Sequence, residues 1–333
     1  MTFWRKFTPI MKNNLSESVQ NSFWKANPWL VILVSFLLAF GFLLVGTGLI
    51  MSILATLLKD QVDQSEQAMA AVQQLIMSSS RYKEELLSLQ AVSALFGFIV
   101  GPLIAVKWIM KERLSGFWNL GKIKLEVFIG VILLIIAFMG INSYFIAWNE
   151  SMVLPDMFAG LEKFFQEKEQ QAADMTKILT EMDTTLYFIV ALLVIAVLPG
   201  IGEEFLFRGV LQNQIFRISG NVHLSIWMAA AVFSAIHVQF YGFIPRMLLG
   251  ALFGYLYVWT GSFWVAAIAH ATNNGVSLLL MYAYQKEITD VDIESAEPSL
   301  AMGALSLVLV TGLLYFIYQK SGANESRRVA KSV

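Results

Sequence analysis

The sequence contains no cysteine. Disulfides, thiolate metal ligands and cysteine nucleophiles are excluded, and cysteine usage gives no clue to compartment. Charge is scarce: 14% of the 333 residues are Asp, Glu, Lys or Arg, where a soluble globular chain carries about 25%. Histidine is scarcer, with three residues. No internal repeat or low-complexity tract is visible. No cleavable signal peptide is visible either, because the first 27 residues are polar and the first apolar run is too long for one.

What is abundant is apolar surface. The chain is 57% hydrophobic with a mean hydropathy of +0.64. This composition describes an integral membrane protein rather than a soluble enzyme with one anchor. A helix needs about 20 apolar residues to cross the hydrocarbon core. Eight candidate spans fall near 29–56, 91–110, 125–148, 185–203, 222–241, 243–260, 262–284 and 299–318. The expected fold class is all-α: a polytopic membrane protein of about eight transmembrane helices. Segments 58–90 and 150–184 are polar with helical periodicity, and we read them as two extramembrane amphipathic helices on one face of the membrane. The chain divides into an N-terminal membrane region (1–184), a core (185–285) and a final span with its tail (286–333).

Orientation follows from the basic residues. They gather in the N-terminal tail (Arg5, Lys6, Lys12, Lys25), after the second span (Lys107, Lys111, Arg113, Lys122, Lys124), after the fourth (Arg208, Arg217) and in the C-terminal tail (Lys320, Arg327, Arg328, Lys331). Segments 150–183 and 286–297 are acidic. Eight spans with both termini in the cytoplasm satisfy every loop, and the cell membrane is the expected location. The formal net charge of −1 says nothing about partners. The lipid bilayer is one expected partner, and no nucleic acid is expected.

The stretch PGIGEEFLFRGVL, residues 199–211, ends an apolar run yet carries Glu203, Glu204 and Arg208. Each ionised side chain at membrane depth costs about 2.5–3.5 kcal/mol on insertion scales. Two of the three histidines, His237 and His270, also lie within apolar spans. Residues four apart share a helix face, and the pairs so spaced are Glu204 with Arg208, Phe233 with His237, and His270 with Asn274. Glu204 and Arg208 are expected to form an intrahelical ion pair. Glu203 points about 100° away and is left without a local partner, which suits a general base. Histidines from two other helices can meet it in the bundle core. One carboxylate, two imidazoles and one carboxamide can activate water and stabilise an oxyanion. Glu203, His237 and His270 could equally hold a metal such as zinc (Zn), with water in the fourth position.

Other readings account for the same charges. A proton-coupled transporter also buries carboxylates and histidines, but it does not explain the pairing of HxxxN with EExxxR. GFIVG (97–101) and GALFG (250–254) match a close-packing pattern and are read as packing. His223 falls at the expected cytosolic interface and is given no catalytic role. Arg246 could pair with Glu203 or Glu204, and such a pair would occupy the base. Depth poses a further problem. His270 lies about 12 Å beyond Ser262 and His237 about 22 Å beyond Val222 at the rise of an ideal helix, while Glu203 sits near one end of its span. Either the fourth helix continues past Glu203 or the fifth begins later.

Taken together, Glu203, Glu204 and Arg208 as EExxxR, Phe233 and His237 as FxxxH, and His270 and Asn274 as HxxxN resemble the CPBP intramembrane protease family. That family includes CAAX prenyl endopeptidases and the Abi or bacteriocin-processing proteins. The resemblance covers roughly residues 185–285. It implies an all-helical membrane enzyme that hydrolyses a peptide bond within the bilayer. By this resemblance Glu203 activates water and His237 positions it or binds a metal. His270 and Asn274 stabilise the oxyanion, and Glu204, Arg208 and Phe233 support them. Both a metal-dependent and a glutamate-dependent mechanism fit. The substrate it implies is a peptide or membrane-protein tail, or a bacteriocin-like peptide. Some relatives act as scaffolds or immunity proteins.

Overall fold

Asn27 caps the first helix, its side-chain oxygen accepting from the Trp29 amide at 3.0 Å, and Pro28 occupies the first turn. Helix α1 then runs Pro28–Leu57. The computed structural model describes residues 27–58, 68–77, 79–109, 123–290 and 298–321. The basic N-terminal tail, Lys111, Arg113 and Lys122, positions 291–297 and, of the C-terminal basic cluster, Arg327, Arg328 and Lys331 lie outside the described residues, and with them most of the basic charge behind the orientation argument.

The described elements are all helical. After α1 come α2 (Ala68–Met77), α3 (Ser80–Trp108), α4 (Leu125–Glu150), α5 (Ala159–Leu179), α6 (Thr185–Ser219), α7 (Val222–Ala235), α8 (Phe243–Thr260), α9 (Phe263–Gln285) and α10 (Leu300–Lys320). Six of these, α1, α3, α4, α6, α8 and α10, are long and apolar enough to cross a membrane. Helix α7 is apolar but shorter. Large apolar side chains on α1 and α10, such as Leu37, Phe40, Leu305 and Val308, face outward. In water such a surface would be a liability, and in a bilayer it is the expected lipid-facing one. The chain is an all-α polytopic membrane protein.

Three boundaries differ from the sequence reading. The polar segment 58–90 is not one helix. Helix α2 is separate, and from Ser80 onward the chain already belongs to α3. Glu84 and Glu85 in the first turn of its α-helical part suit the positive end of that helix. Lys83 ties that start to the 150–184 segment through Asp183 and the Glu181 carbonyl.

Second, the fourth span does not stop at Glu203. Helix α6 continues for 35 residues, through Pro199, to Ser219. It does so by widening: residues Leu192–Val197 and Phe205–Gln212 form π turns on either side of the α-helical stretch Leu198–Glu204. A π bulge lets a helix absorb a proline without breaking.

Third, the fifth span ends early, at Ala235 rather than near 241. His237, expected inside an apolar helix, lies in the turn that follows, where Val238 takes a φ of 56°. The amides of His237 and Val238 close this turn on the carbonyls of Ser234 and Ala235.

Turn chemistry sets the register of the core hairpins. Gly220 (φ 63°) ends α6 and Gly261 (φ 66°) ends α8, each in the left-handed conformation that favours glycine. Asn221 then caps α7 by accepting from the Leu224 amide. The glycine-rich pairs serve close packing, as read. A Cβ on Gly101 would stand 2.8 Å from the Ala39 Cα, and one on Gly254 would stand 2.8 Å from the Gln212 side chain.

Candidate active site

Glu204 sits at the centre. Its Oε1 accepts from Arg208 Nη1 at 2.7 Å and from His270 Nδ1 at 3.0 Å. EExxxR on α6 and HxxxN on α9 therefore meet through one carboxylate oxygen. Glu204 and Arg208 are each 0% exposed. A buried charge at such a position must be paired, and the i,i+4 spacing supplies the partner within one turn. The contact with Glu204 requires a proton on His270 Nδ1, because an ionised carboxylate only accepts. In a neutral His270, the lone pair is then on Nε2.

Arg208 does more than pair. Its Nη2 donates to the Gly250 carbonyl on α8. Its guanidinium lies between the rings of Phe233 on α7 and Phe253 on α8, at 5.2 and 5.5 Å from their centroids. Such contacts between a cation and a ring face strengthen where water is excluded. The same two rings hold His270: Phe253 stacks on it at 5.3 Å and Phe233 meets it edge-on at 5.7 Å. The aromatic pair thus orients a cation and an imidazole together. Phe233 was readable as part of FxxxH. Phe253 and the Gly250 carbonyl were not, since no spacing rule links α8 to α6. The close approach that makes this possible is visible at Gly250, where a Cβ would stand 3.2 Å from Ala230 and Phe233.

Glu203 is buried on the adjoining face, and its Oε2 has no hydrogen-bond partner. Its charged surroundings are His270, Glu204, Arg208 and Arg246. The extension of α6 resolves the depth problem. From Ser219 back to Glu203 is about 24 Å of ideal helix, and from Val222 to the end of α7 at Ala235, two residues before His237, about 20 Å at the same rise. His237 Nδ1 contacts the Phe233 carbonyl at 2.8 Å. A carbonyl only accepts, so Nδ1 carries the proton and Nε2 the lone pair. His237 also lies within electrostatic reach of Arg246 and His270.

Asn274 lies on α9 and bonds within the bundle. Its Nδ2 donates to the Ile195 carbonyl on α6 at 3.1 Å, and its Oδ1 accepts from Asn273 at 3.1 Å. One N–H of its amide remains beyond those bonds. His223 stands apart, bonded to the Tyr255 hydroxyl at 2.6 Å. Arg246 does not pair with either glutamate of EExxxR. Its Nη2 donates to Gln239 Oε1 at 2.8 Å.

Among the described residues, no group of three or more His, Asp or Glu side chains stands close enough to hold a metal ion. Glu203, His237 and His270 do not form such a group in this arrangement.

A membrane bundle with a buried carboxylate pair and an arginine on one helix, an imidazole on a neighbouring helix and another in an adjoining turn defines a class of site. The comparisons then place it. Residues 185–276 match the family model described as "Type II CAAX prenyl endopeptidase Rce1-like", so this part of the chain carries a match to the CPBP/CAAX protease family. An uncharacterized protein, YpbD, of Bacillus subtilis (strain 168) is 34% identical over 80 residues. That alignment covers 23% of this chain and 38% of YpbD, so the chain spans about two fifths of that relative. No solved structure matches.

Proposed function

We propose that this protein is an intramembrane endopeptidase whose catalytic core is residues 185–285. The observation that carries this reading is the shared oxygen of Glu204. It joins Arg208 and His270 in one buried cluster and leaves the neighbouring Glu203 with an unpartnered carboxylate oxygen. The family match over 185–276 supports the same reading.

In this account Glu203 takes a proton from water, and the oxygen attacks the scissile carbonyl. His237, with its Nε2 lone pair, orients that water. The remaining N–H of Asn274 stabilises the oxyanion, and His270 joins it as the imidazolium, donating from Nε2 while its Nδ1–H stays on Glu204. Glu203 then passes the proton to the leaving amine, and the C–N bond breaks. Glu204, Arg208 and Phe233 hold His270 in its working orientation. No step is routed through a metal. A zinc ion would supply Lewis-acid chemistry to the same water, and chelation tests that version.

The membrane arrangement that fits is eight spans, adding α7 and α9 to the six long apolar helices, with both termini in the cytoplasm of a cell-membrane protein. Polar helices such as α5 then lie outside the bilayer. The substrate is a peptide or membrane-protein tail that reaches the bundle from the bilayer. The test is a proteoliposome assay on lipidated and unlipidated peptides, with wild type and Glu203→Gln, with and without chelator. Cleavage by wild type and none by the variant supports the reading. Ion-dependent uptake without cleavage supports a transporter. A cellular phenotype retained in motif variants supports a scaffold or immunity role.

A further inference from the structure

The loop 236–242 carries His237 and is fixed from three sides. From α4, Asn149 donates to the Phe240 carbonyl at 3.1 Å and accepts from the Ile244 amide at 2.8 Å. From α7, Ser234 donates to the Phe243 carbonyl at 2.7 Å. From the polar helix α5, Phe165 stacks on Phe240 with centroids 5.0 Å apart and rings 13° from parallel. Helix α5 also reaches the loop by a polar route. Gln239 Nε2 donates to Glu169 Oε1 at 3.1 Å, and Gln239 Oε1 accepts from Arg246 Nη2 at 2.8 Å. A single side-chain amide therefore relays between a carboxylate on the roof helix and a guanidinium on α8.

Arg246 faces two carboxylates, Glu169 and Glu203. It bonds, through Gln239, toward the first. Its Nη1 is buried without a hydrogen-bond partner, and so is Glu203 Oε2. Both groups thus have unused bonding capacity, in a setting where water is scarce and opposite charges attract strongly. A charge-assisted bond between them would be stronger than the neutral amide contact that Arg246 makes now. It would also take up the oxygen that the hydrolytic water needs.

We propose that Glu169 and Gln239 are positioning residues for Glu203: they hold the Arg246 guanidinium on the roof relay and so keep it from pairing with the general base. The functional half of this inference rests on the hydrolytic role of Glu203 proposed above, and the structural half does not. The seated α5 helix is then a requirement of the active state. When α5 lifts away, Arg246 loses its relay and Glu203 becomes its nearest anionic partner. The polar segment that the sequence marks only as an extramembrane amphipathic helix gains a defined task at the site.

The first test needs no substrate. Thermal unfolding of the full chain in detergent is measured for Arg246→Met, Glu203→Gln and their combination, with Gln239 intact and again with Gln239→Ala. The coupling between Arg246 and Glu203 is expected to be small with Gln239 intact and to grow by about 2–4 °C in Tm when the relay is cut. Equal coupling in the two backgrounds overturns the inference. The second test uses cleavage. Gln239→Ala and Glu169→Ala are each expected to lower kcat about tenfold with little change in KM. Glu169→Gln, which keeps an acceptor for Gln239, stays close to wild type. Removing the competing cation, by Arg246→Met in the Gln239→Ala background, restores most of the loss. A double variant as slow as Gln239→Ala overturns the inference, because simple structural damage would not be repaired by a second deletion. Absence of cleavage by wild type would instead remove the peptidase reading, and the coupling measurement would still decide whether the relay restrains Arg246.

Discussion

Asn274 donates to the Ile195 carbonyl at 3.1 Å, and Ile195 lies four residues before Pro199. In an α-helix that carbonyl would accept the amide of residue 199, which a proline lacks. Ile195 lies within the π turn Leu192–Val197, where that register is shifted, and the Asn274 side chain on α9 gives its carbonyl a donor and ties α9 to the turn that leads into Glu203. The last residue of HxxxN is thereby linked to the geometry of EExxxR, whatever part its other N–H takes.

This relationship makes a prediction. Asn274→Ala leaves the Ile195 carbonyl short of a donor and should destabilise the protein by about 1–3 kcal/mol, read as a lower Tm in detergent. Pro199→Ala restores a backbone N–H, so the Asn274→Ala loss should be smaller in that background. Equal losses in the two backgrounds would show that the proline is not what makes Asn274 necessary.

Gly200, in PGIGEE, sets the approach between α6 and α9. A Cβ on Gly200 would stand 2.9 Å from the Ala267 carbonyl oxygen and 2.9 Å from the Ala271 amide nitrogen. Both are backbone atoms and cannot swing aside. Gly200→Ala should push α9 away, lengthen the 3.0 Å contact of His270 with Glu204 and reduce cleavage at least tenfold. Gly41→Ala is the control, because a Cβ there meets nothing within 4 Å. It should leave cleavage unchanged and stabilise α1 slightly.

Arg208 should tolerate no replacement well. Arg208→Ala leaves Glu204 buried and unpaired, a loss of about 3–5 kcal/mol. Arg208→Lys keeps the charge but loses the planar fork that reaches Glu204 and the Gly250 carbonyl together, and it changes the contact with Phe233 and Phe253. Unfolding midpoints and membrane expression levels should therefore fall in the order wild type, Lys, Ala. A lysine variant as stable as wild type would contradict the bidentate role.

His223 separates a packing histidine from the other two. It bonds the Tyr255 hydroxyl on α8. His223→Ala should retain cleavage within about twofold, while His270→Ala should abolish it. Loss of cleavage in both, with normal folding, would remove the distinction.

The sequence made some of this legible and hid the rest for definable reasons. Hydropathy located the apolar segments, and the four-residue spacing paired Glu204 with Arg208 and Phe233 with His237 correctly, since both are contacts within one helix or its terminal turn. The end of the fourth helix was not legible. Pro199 and two glycines interrupt the run and leave open whether the helix goes on past Glu203, and π turns on either side carry it to Ser219. The end of the fifth was hidden because VFSAIHVQF stays apolar beyond the last helical turn. Contacts between helices escaped altogether. The Gly250 carbonyl, the Phe253 ring and the Gln239 relay sit on elements whose mutual rotation no periodicity reports. Arg246 is legible as a competitor for Glu203, but its actual partner, Gln239, lies in the loop four residues before α8 begins at Phe243.

The central claim is that Glu203 performs the hydrolysis. Its most direct test is cleavage of a peptide library in proteoliposomes by wild type and Glu203→Gln, each with and without chelator, with insertion and folding checked for both. The account predicts cleavage by wild type and none by a well-folded Glu203→Gln. Survival of activity in chelator would support the glutamate-only route, and loss restored by zinc the metal-assisted one. Cleavage by Glu203→Gln at the wild-type rate would contradict the account.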